Sequence, residues 1–289
     1  MKSPVKISVI GGDTRQIYTA ARLHEIGFDV CVFGFELNEK ALSLPKCDSL
    51  EKAMENDIIV LPLPCTKNNR TLNASFSENE LPLSEIIRFT HERHKVFLGM
   101  GNEQLIRQIR GKGAAVTDYF SLEELTIKNA LLTAEGVLSL ILEKLPVTVW
   151  GLKAAVTGYG RVGYYTCRIL SALGAELTVF ARSKTQLAKA QTAGFSAESL
   201  ECISEKAADF DIIINTVPAP VISEEAISRT KEDCVMIETA SAPYGIDFSA
   251  VQKHGRTLIK AFSLPGKTAP KTAGFIIADT ISEIIKGGA

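Results

Sequence analysis

Short apolar runs alternate with amphipathic stretches along this chain, and they do so in two series. In the first, "VKISVIGG" is a strand closed by a glycine turn, "TRQIYTAARLHEIG" a helix ended by Gly27, and "DVCVFGF" the next strand. "SLEKAMEN" is a short helix, "DIIVLPLP" a third strand, and "KVFLG" and "AAVTDY" are strands on either side of the helix "NEQLIRQIRG". A long helix from Leu122 to about Leu145 follows, stopped by Pro146. The second series runs "LKAAVTGYG" (strand), "RVGYYTCRILSALG" (helix), "AELTVFAR" (strand) and "KTQLAKAQTAG" (helix), then the strands "DIIINTVP", "CVMIETA" and "RTLIKAF". The last stretch, "PKTAGFIIADTISEIIKGG", is a helix with its apolar stripe at Ile277, Ile281, Ile284 and Ile285.

Apolar strands alternating with helices build parallel sheets covered on both faces. The expected fold class is therefore α/β, with two open parallel-sheet domains joined by long helices. Residues 1–121 form a flavodoxin-like substrate domain, 122–145 the connecting helix, and 146–268 a Rossmann dinucleotide-binding domain. Residues 269–289 form a C-terminal helix packing on the connector or the N-terminal domain. Ligands of such sheets sit at the carboxyl ends of the strands, so the site is expected in a crevice between the domains.

Composition narrows the classes of partner. A chain of 289 residues with net charge −1 has no basic excess for a nucleic acid backbone. "MKSPVKISVIGG" lacks the apolar region of a signal peptide, and no run approaches the length of a membrane span. A cytoplasmic protein with no membrane contact is expected, and homo-oligomer formation stays open. The six cysteines include no Cys-x-x-Cys pair and read as buried thiols in a reducing compartment. His24 and His254 fall near helix C-termini, while His91 and His94 flank "HERHK", which reads as solvated surface. No metal site is expected.

The most informative motif is "GYGRVG", Gly158-Tyr159-Gly160-Arg161-Val162-Gly163, because it closes an apolar strand and opens a helix. Gly158 allows the turn, Gly160 lets backbone approach a pyrophosphate at the helix N-terminus, and Gly163 lets helix and strand pack closely. The following strand ends "VFARSK". An NAD site would carry Asp or Glu there. Arg182 and Ser183 instead suit a 2′-phosphate, so NADP is expected over NAD; the competing reading is a solvated arginine and a simple N-cap. Thr216, Val217 and Pro218 of "INTVPAP" are expected along the ribose and nicotinamide, or else form only a proline turn. Ala240 and Ser241, after the "CVMIETA" strand, complete the cofactor set.

In the first domain, "VIGGDTRQ" has the wrong spacing for a second fingerprint. Its Asp13, Thr14 and Arg15 are expected to bind substrate, with Arg15 as a carboxylate clamp. The alternative is Asp13 as an N-cap with Arg15 exposed. The loop Pro62–Asn69, which includes Pro64, is expected to cover the cleft.

Taken together, "IGGDTRQ", "LPLP", "TAEG" (Thr133–Gly136), "GYGRVG" and above all "LPGKTAPKTAG" (Leu264–Gly274) resemble the family of the dipicolinate synthase A subunit of spore-forming bacteria, over nearly the whole chain. One departure is Leu132, which stands where the pattern before "TAEG" has proline. The resemblance implies an NADP-dependent oxidoreductase of the CH-CH or CH-NH type. With a flavoprotein-like B subunit, it makes dipicolinate from a dihydrodipicolinate precursor branching from lysine biosynthesis, in the mother cell during sporulation. It implies a dicarboxylate substrate, for which Thr133 and Gly266, Lys267, Thr268, Lys271 and Thr272 of a stiff late loop at a helix start are the candidates, the alternative being an ordinary capped helix with two solvated lysines. Glu135, if it faces the cleft from the connecting helix, is a candidate catalytic base, the alternative being a plain helix carboxylate. Two other readings remain: an enzyme like the D-2-hydroxyacid dehydrogenases, whose late His–carboxylate pair has no evident counterpart here, and a non-catalytic NADP-binding regulatory subunit.

Overall fold

The structure is a computed structural model that describes residues 5–287. The head of the "MKSPVKISVIGG" stretch and Gly288, the end of the expected last helix, lie outside the described residues. The chain divides into two compact units, residues 1–128 with 269–289, and residues 129–268.

Unit 1 is built from β1 (Lys6–Ile10), α1 (Thr14–Glu25), β2 (Asp29–Phe33), α2 (Leu50–Ala53), β3 (Ile58–Val60), α3 (Leu83–Phe89), β4 (Lys95–Leu98), α4 (Glu103–Arg110) and β5 (Ala115–Asp118). The long helix α5 (Glu123–Lys144) begins in this unit and ends in the next. The sheet is parallel in the order β2-β1-β3-β4-β5, with Ile7 beside Val30 on one side and Ile58 on the other. Ile7, Val9, Val30 and Val60 are completely buried, as strands covered on both faces require, and Leu23 of α1 is buried against them.

Unit 2 continues with β6 (Lys153–Thr157), α6 (Arg161–Ala172), β7 (Glu176–Ala181), α7 (Lys184–Thr192), β8 (Ser196–Ser199), α8 (Ile203–Lys206), β9 (Ile212–Asn215), α9 (Glu224–Ser228), β10 (Val235–Glu238), α10 (Phe248–Lys253), β11 (Thr257–Lys260) and α11 (Leu264–Thr268). The chain then returns to unit 1 as α12 (Pro270–Gly287). The sheet order is β11-β10-β9-β6-β7-β8, all parallel, which is the doubly wound dinucleotide-binding order. The C-terminal half of α5 covers this sheet through Val137 and Ile141.

Four sequence expectations change. First, "LPGKTAPKTAG" is not a loop. Leu264–Thr268 is a helical turn and Pro270 occupies the first position of α12, where a missing N–H costs nothing. Second, Cys31 and Cys47 are joined in a disulfide with Cα atoms 6.0 Å apart. The segment at Lys46 runs beside β2, with the Cys47 N–H donating to Val32 O, and this alignment brings together thiols sixteen positions apart. Third, "HERHK" is not solvated throughout, because His94 is fully buried. Its ring stacks on His91 at 3.6 Å, Nδ1 accepts from the His91 N–H, and Nε2 lies 2.9 Å from Met54 O, so the neutral tautomer protonated at Nε2 fits both bonds. Fourth, α5 is by length and composition long and apolar enough to cross a membrane, although its Val137 and Ile141 are buried in the unit 2 core.

Candidate functional site

The turn from β6 into α6 forms one wall of a cavity of about 510 Å³ in unit 2. Gly158 has φ +81°, a backbone state that favours glycine. A Cβ on Gly163 would fall on the Gly158 carbonyl oxygen, so this glycine sets how closely the helix meets the strand. A Cβ on Gly160 would meet nothing within 4 Å, so the backbone there is open to a ligand. Gly160 caps α6 without a side chain, which leaves the Val162 and Gly163 N–H groups at the positive end of the helix dipole for an anion. These features fit the pyrophosphate of a dinucleotide.

The opposite wall comes from the end of β7. Arg182 is exposed and makes no ion pair or hydrogen bond among the described residues. Ser183 caps α7 by accepting from the Gln186 N–H at 3.4 Å, and its own hydroxyl hydrogen is still free to donate. The cap and a phosphate-binding role are therefore compatible. Gln186 also accepts from the Tyr159 N–H at 3.3 Å, tying the glycine turn to α7. Thr216, Val217 and Pro218 form the third side, and the cavity is lined by two arginines, Arg161 and Arg182, and by no carboxylate. A second cavity of about 790 Å³ shares Arg182 and Leu200 with the first and extends along Pro220, Tyr244 and Phe248.

Not every expected cofactor residue lines this space. Tyr159 is 6% exposed and its ring belongs to the unit 2 core. Ala240 is buried and Ser241 exposed, and neither borders the two cavities.

Behind the third side lies a buried polar network that the sequence reading missed. Thr157 donates to Asn215 Oδ1 at 2.6 Å, and Asn215 Nδ2 donates to Glu238 Oε1 at 2.6 Å. The Glu238 carboxylate, fully buried, also accepts the N–H groups of Ala240, Gly245 and Ile246 at 2.8–3.0 Å. This network ties together the carboxyl ends of β6, β9 and β10 and holds the loop to Tyr244 in shape. The one signal in the sequence was a glutamate ending an otherwise apolar strand.

The residues expected to bind substrate are placed differently from expectation. Asp13 caps α1 in a capping box with Gln16. Arg15 is neither exposed nor a free clamp: only 4% exposed, its Nε and Nη2 bond the Asp13 carboxylate at 2.8–3.2 Å and Nη2 also donates to Leu63 O. A guanidinium already engaged this way stabilises the loops that end β1 and β3. Thr14 is half-buried at the start of α1, and Pro64, half-buried, follows a cis peptide bond. Thr133 spends its hydroxyl on Asn129 O one turn back, as Thr268 does on Leu264 O. Lys267, Lys271 and Thr272 are exposed, and Lys271 Nζ lies 5.5 Å from the Phe275 ring centre. Gly266 is half-buried within α11. Glu135 is exposed on α5 and borders neither unit 2 cavity. Among the described residues the only histidine–carboxylate pair in unit 2, His254 with Glu224 at 3.2 Å, is shared with Lys253, and neither residue lines the 510 Å³ cavity.

Comparison with known proteins bears on both units. Residues 6–120 match the family model of the N-terminal domain of the dipicolinate synthase A subunit. Residues 142–252 match the NAD-binding domain of the D-isomer-specific 2-hydroxyacid dehydrogenases, so unit 2 carries a dehydrogenase-type domain for a nicotinamide dinucleotide. The chain is 31% identical to the dipicolinate synthase A subunit of Bacillus subtilis (strain 168), over 99% of this chain and 97% of that one. Among solved structures it resembles the A subunit of Bacillus halodurans, at 28% identity, TM-score 0.89 and 99% coverage of both chains. It also resembles the B. subtilis A chain, at 30% identity, TM-score 0.85 and coverage of 99% and 97%.

Proposed function

This chain belongs to the family of the dipicolinate synthase A subunit, and from that premise we propose that it oxidises a dihydrodipicolinate, or its hydrated precursor, to dipicolinate with NADP⁺, acting with the B subunit in the mother-cell cytoplasm of a sporulating bacterium. The observation that carries the cofactor choice is the 510 Å³ cavity with two arginines and no carboxylate. An acid at the end of β7 would hold a free ribose 2′-hydroxyl and repel a 2′-phosphate. Ala181, Arg182 and Ser183 stand there instead.

The dinucleotide, when bound, supplies the hydride acceptor. The chain's own residues do the rest. The α6 N-terminus and Gly160 hold the pyrophosphate, Arg182 and Ser183 fix the 2′-phosphate end, and Thr216–Pro218 confine the other end. The dihydropyridine ring loses a hydride and a proton, two electrons in all, and becomes aromatic; a hydrated precursor loses one water as well. The substrate ring gains aromaticity while the nicotinamide loses it, so part of the driving force cancels and the step asks for positioning more than for a strong base. Glu135, exposed on α5 but bordering neither unit 2 cavity, is a candidate for the proton acceptor only where the bound substrate reaches it.

The reading is tested by titrating the purified chain with NADPH and NADH, followed by nucleotide fluorescence, with and without dipicolinate. Tighter binding of NADPH and a dipicolinate-dependent change are expected. Equal affinity for the two nucleotides overturns the NADP assignment, and no response to dipicolinate, whether or not the B subunit is present, overturns the substrate.

A further inference from the structure

In the unit 1 sheet the chain leaves β1 toward β2 on one side while β3 lies on the other, so the loops after β1 and β3 diverge at a topological switch point. Open parallel sheets bind ligands at such points. The loop after β3 returns to the loop after β1: Gly12 forms a bridge with Ala74, and the Ser75 N–H donates to Gly12 O at 3.0 Å. A Cβ on Gly11 would lie 2.9 Å from Leu72 Cδ2, so the two loops fit only because glycine stands there. Beside this junction the loop borders an open depression of about 250 Å³ lined by Lys67, Asn68, Thr71, Asn73 and Ser75, with no acidic residue in its lining.

Two of these side chains hold the loop in shape. Asn68 Oδ1 accepts the Arg70 and Thr71 N–H groups at 2.9 Å, and its Nδ2 donates to the Thr71 hydroxyl at 2.9 Å. The other three are unspent. Asn73 is only 7% exposed, yet its side-chain amide makes no hydrogen bond among the described residues. Its polar atoms are accessible rather than sealed in, so the amide is open to a partner from outside the protein. Lys67 makes no ion pair among the described residues, and the Ser75 hydroxyl makes no hydrogen bond there. An ammonium, an amide N–H and a hydroxyl on residues that border one small space form the donor set of a carboxylate.

We propose that this depression holds one carboxylate of the substrate, with Lys67 supplying the charge, Asn73 the orienting N–H and Ser75 a third donor. The proposal rests on the dicarboxylate reading above and gives Arg15 a different role. Arg15 fixes Leu63 O and so positions the loop that carries the subsite. The depression is too small for a whole dinucleotide and suits one edge of a flat ring.

The test is calorimetric titration of the full chain with pyridine-2,6-dicarboxylate and, separately, with NADPH, for wild type, Lys67→Ala, Asn73→Leu and Asn73→Asp. Lys67 is exposed, so folding survives in that variant at least, and Asn73→Asp keeps the side-chain size while adding like charge. Each variant is expected to raise the dicarboxylate Kd about tenfold or more and to leave the NADPH Kd and the melting temperature unchanged. If wild type binds the dicarboxylate and the variants bind it within about twofold, the subsite is refuted while the functional reading stands. If wild type binds NADPH but no dicarboxylate, even in the presence of the B subunit, the functional reading fails and this ligand fails with it.

Discussion

At the scale of single residues, the positions that were easiest to interpret were those whose chemistry is local. Gly158 takes the turn and Gly163 the close packing that their spacing implies, because a glycine turn between strand and helix is specified within a few residues. Arg15 was misread because the partners of a guanidinium are set by the fold: Asp13 is two residues away but Leu63 is forty-eight away. The same applies to His94, whose partner Met54 O lies on another element. Arg182→Asp is expected to raise the NADPH Kd about 100-fold, since charge-assisted bonds to a phosphate are each worth about 1.5–3 kcal/mol, and to change the NADH Kd little. Parallel fluorescence titrations measure the difference.

His94 makes a pH prediction. Burial pushes its pKa below the ordinary value, outweighing the hydrogen bond to Met54 O and the charge of Asp57, while His91 and Arg93 lower it further. The unfolded chain therefore takes up a proton near pH 6.5 that the folded one refuses. The contribution is fully present above that pH and is lost as the pH falls toward the lower folded value, at no more than about 1.4 kcal/mol per pH unit. Urea unfolding at about pH 7.5 and about pH 5.5, either side of the ordinary histidine pKa, should show a larger loss for wild type than for His94→Gln. An equal loss would place the titrating group elsewhere.

At the scale of elements, the motifs that carried the family resemblance serve packing as well as ligand binding. A Cβ on Gly136 of "TAEG" would lie 2.7 Å from Leu264 Cβ of "LPGKTAPKTAG", so α5 and α11 meet in unit 2 through a glycine. In unit 1, a Cβ on Gly274 would lie 2.7 Å from Tyr18 Cβ and press on the Arg15 carbonyl, while Thr19 donates to Gly274 O at 3.1 Å and Arg22 pairs with Asp279 at 2.9 Å. Thus α12 closes on α1 at the helix that "IGGDTRQ" opens. Sequence periodicity showed that α12 is a helix, but not that its glycine admits a close partner helix, since the partner lies far away in sequence. Gly274→Ala should cost about 1–3 kcal/mol by overpacking, whereas exposed Lys271→Ala should stay within about 0.5 kcal/mol. Denaturant unfolding distinguishes the two. Short elements such as α9, α10 and β8 were not legible, because four to six residues carry too little periodicity.

At the scale of the whole molecule, the alternation of strands and helices made two parallel sheets legible, and the strand orders supply what alternation leaves out. The order in unit 2 puts β6 in the middle with its glycine turn at the sheet's carboxyl edge, and the order in unit 1 puts the unspent donors beside β1 and β3. Chain order alone could not reveal this, since neighbours in a parallel sheet are separated by whole helices. The division of the chain places "LPGKTAPKTAG" at the crossing from unit 2 to unit 1, with Lys267 in one and Lys271 in the other. The most direct measurement is turnover by the purified chain together with the B subunit, supplied with dihydrodipicolinate and NADP⁺ or NAD⁺, recording absorbance at the NADPH band and dipicolinate together. One NADPH per dipicolinate, strong preference for NADP⁺, and no reaction without this chain are the expected results. Dipicolinate formed at the same rate with no nucleotide reduced would contradict an NADP-dependent oxidation.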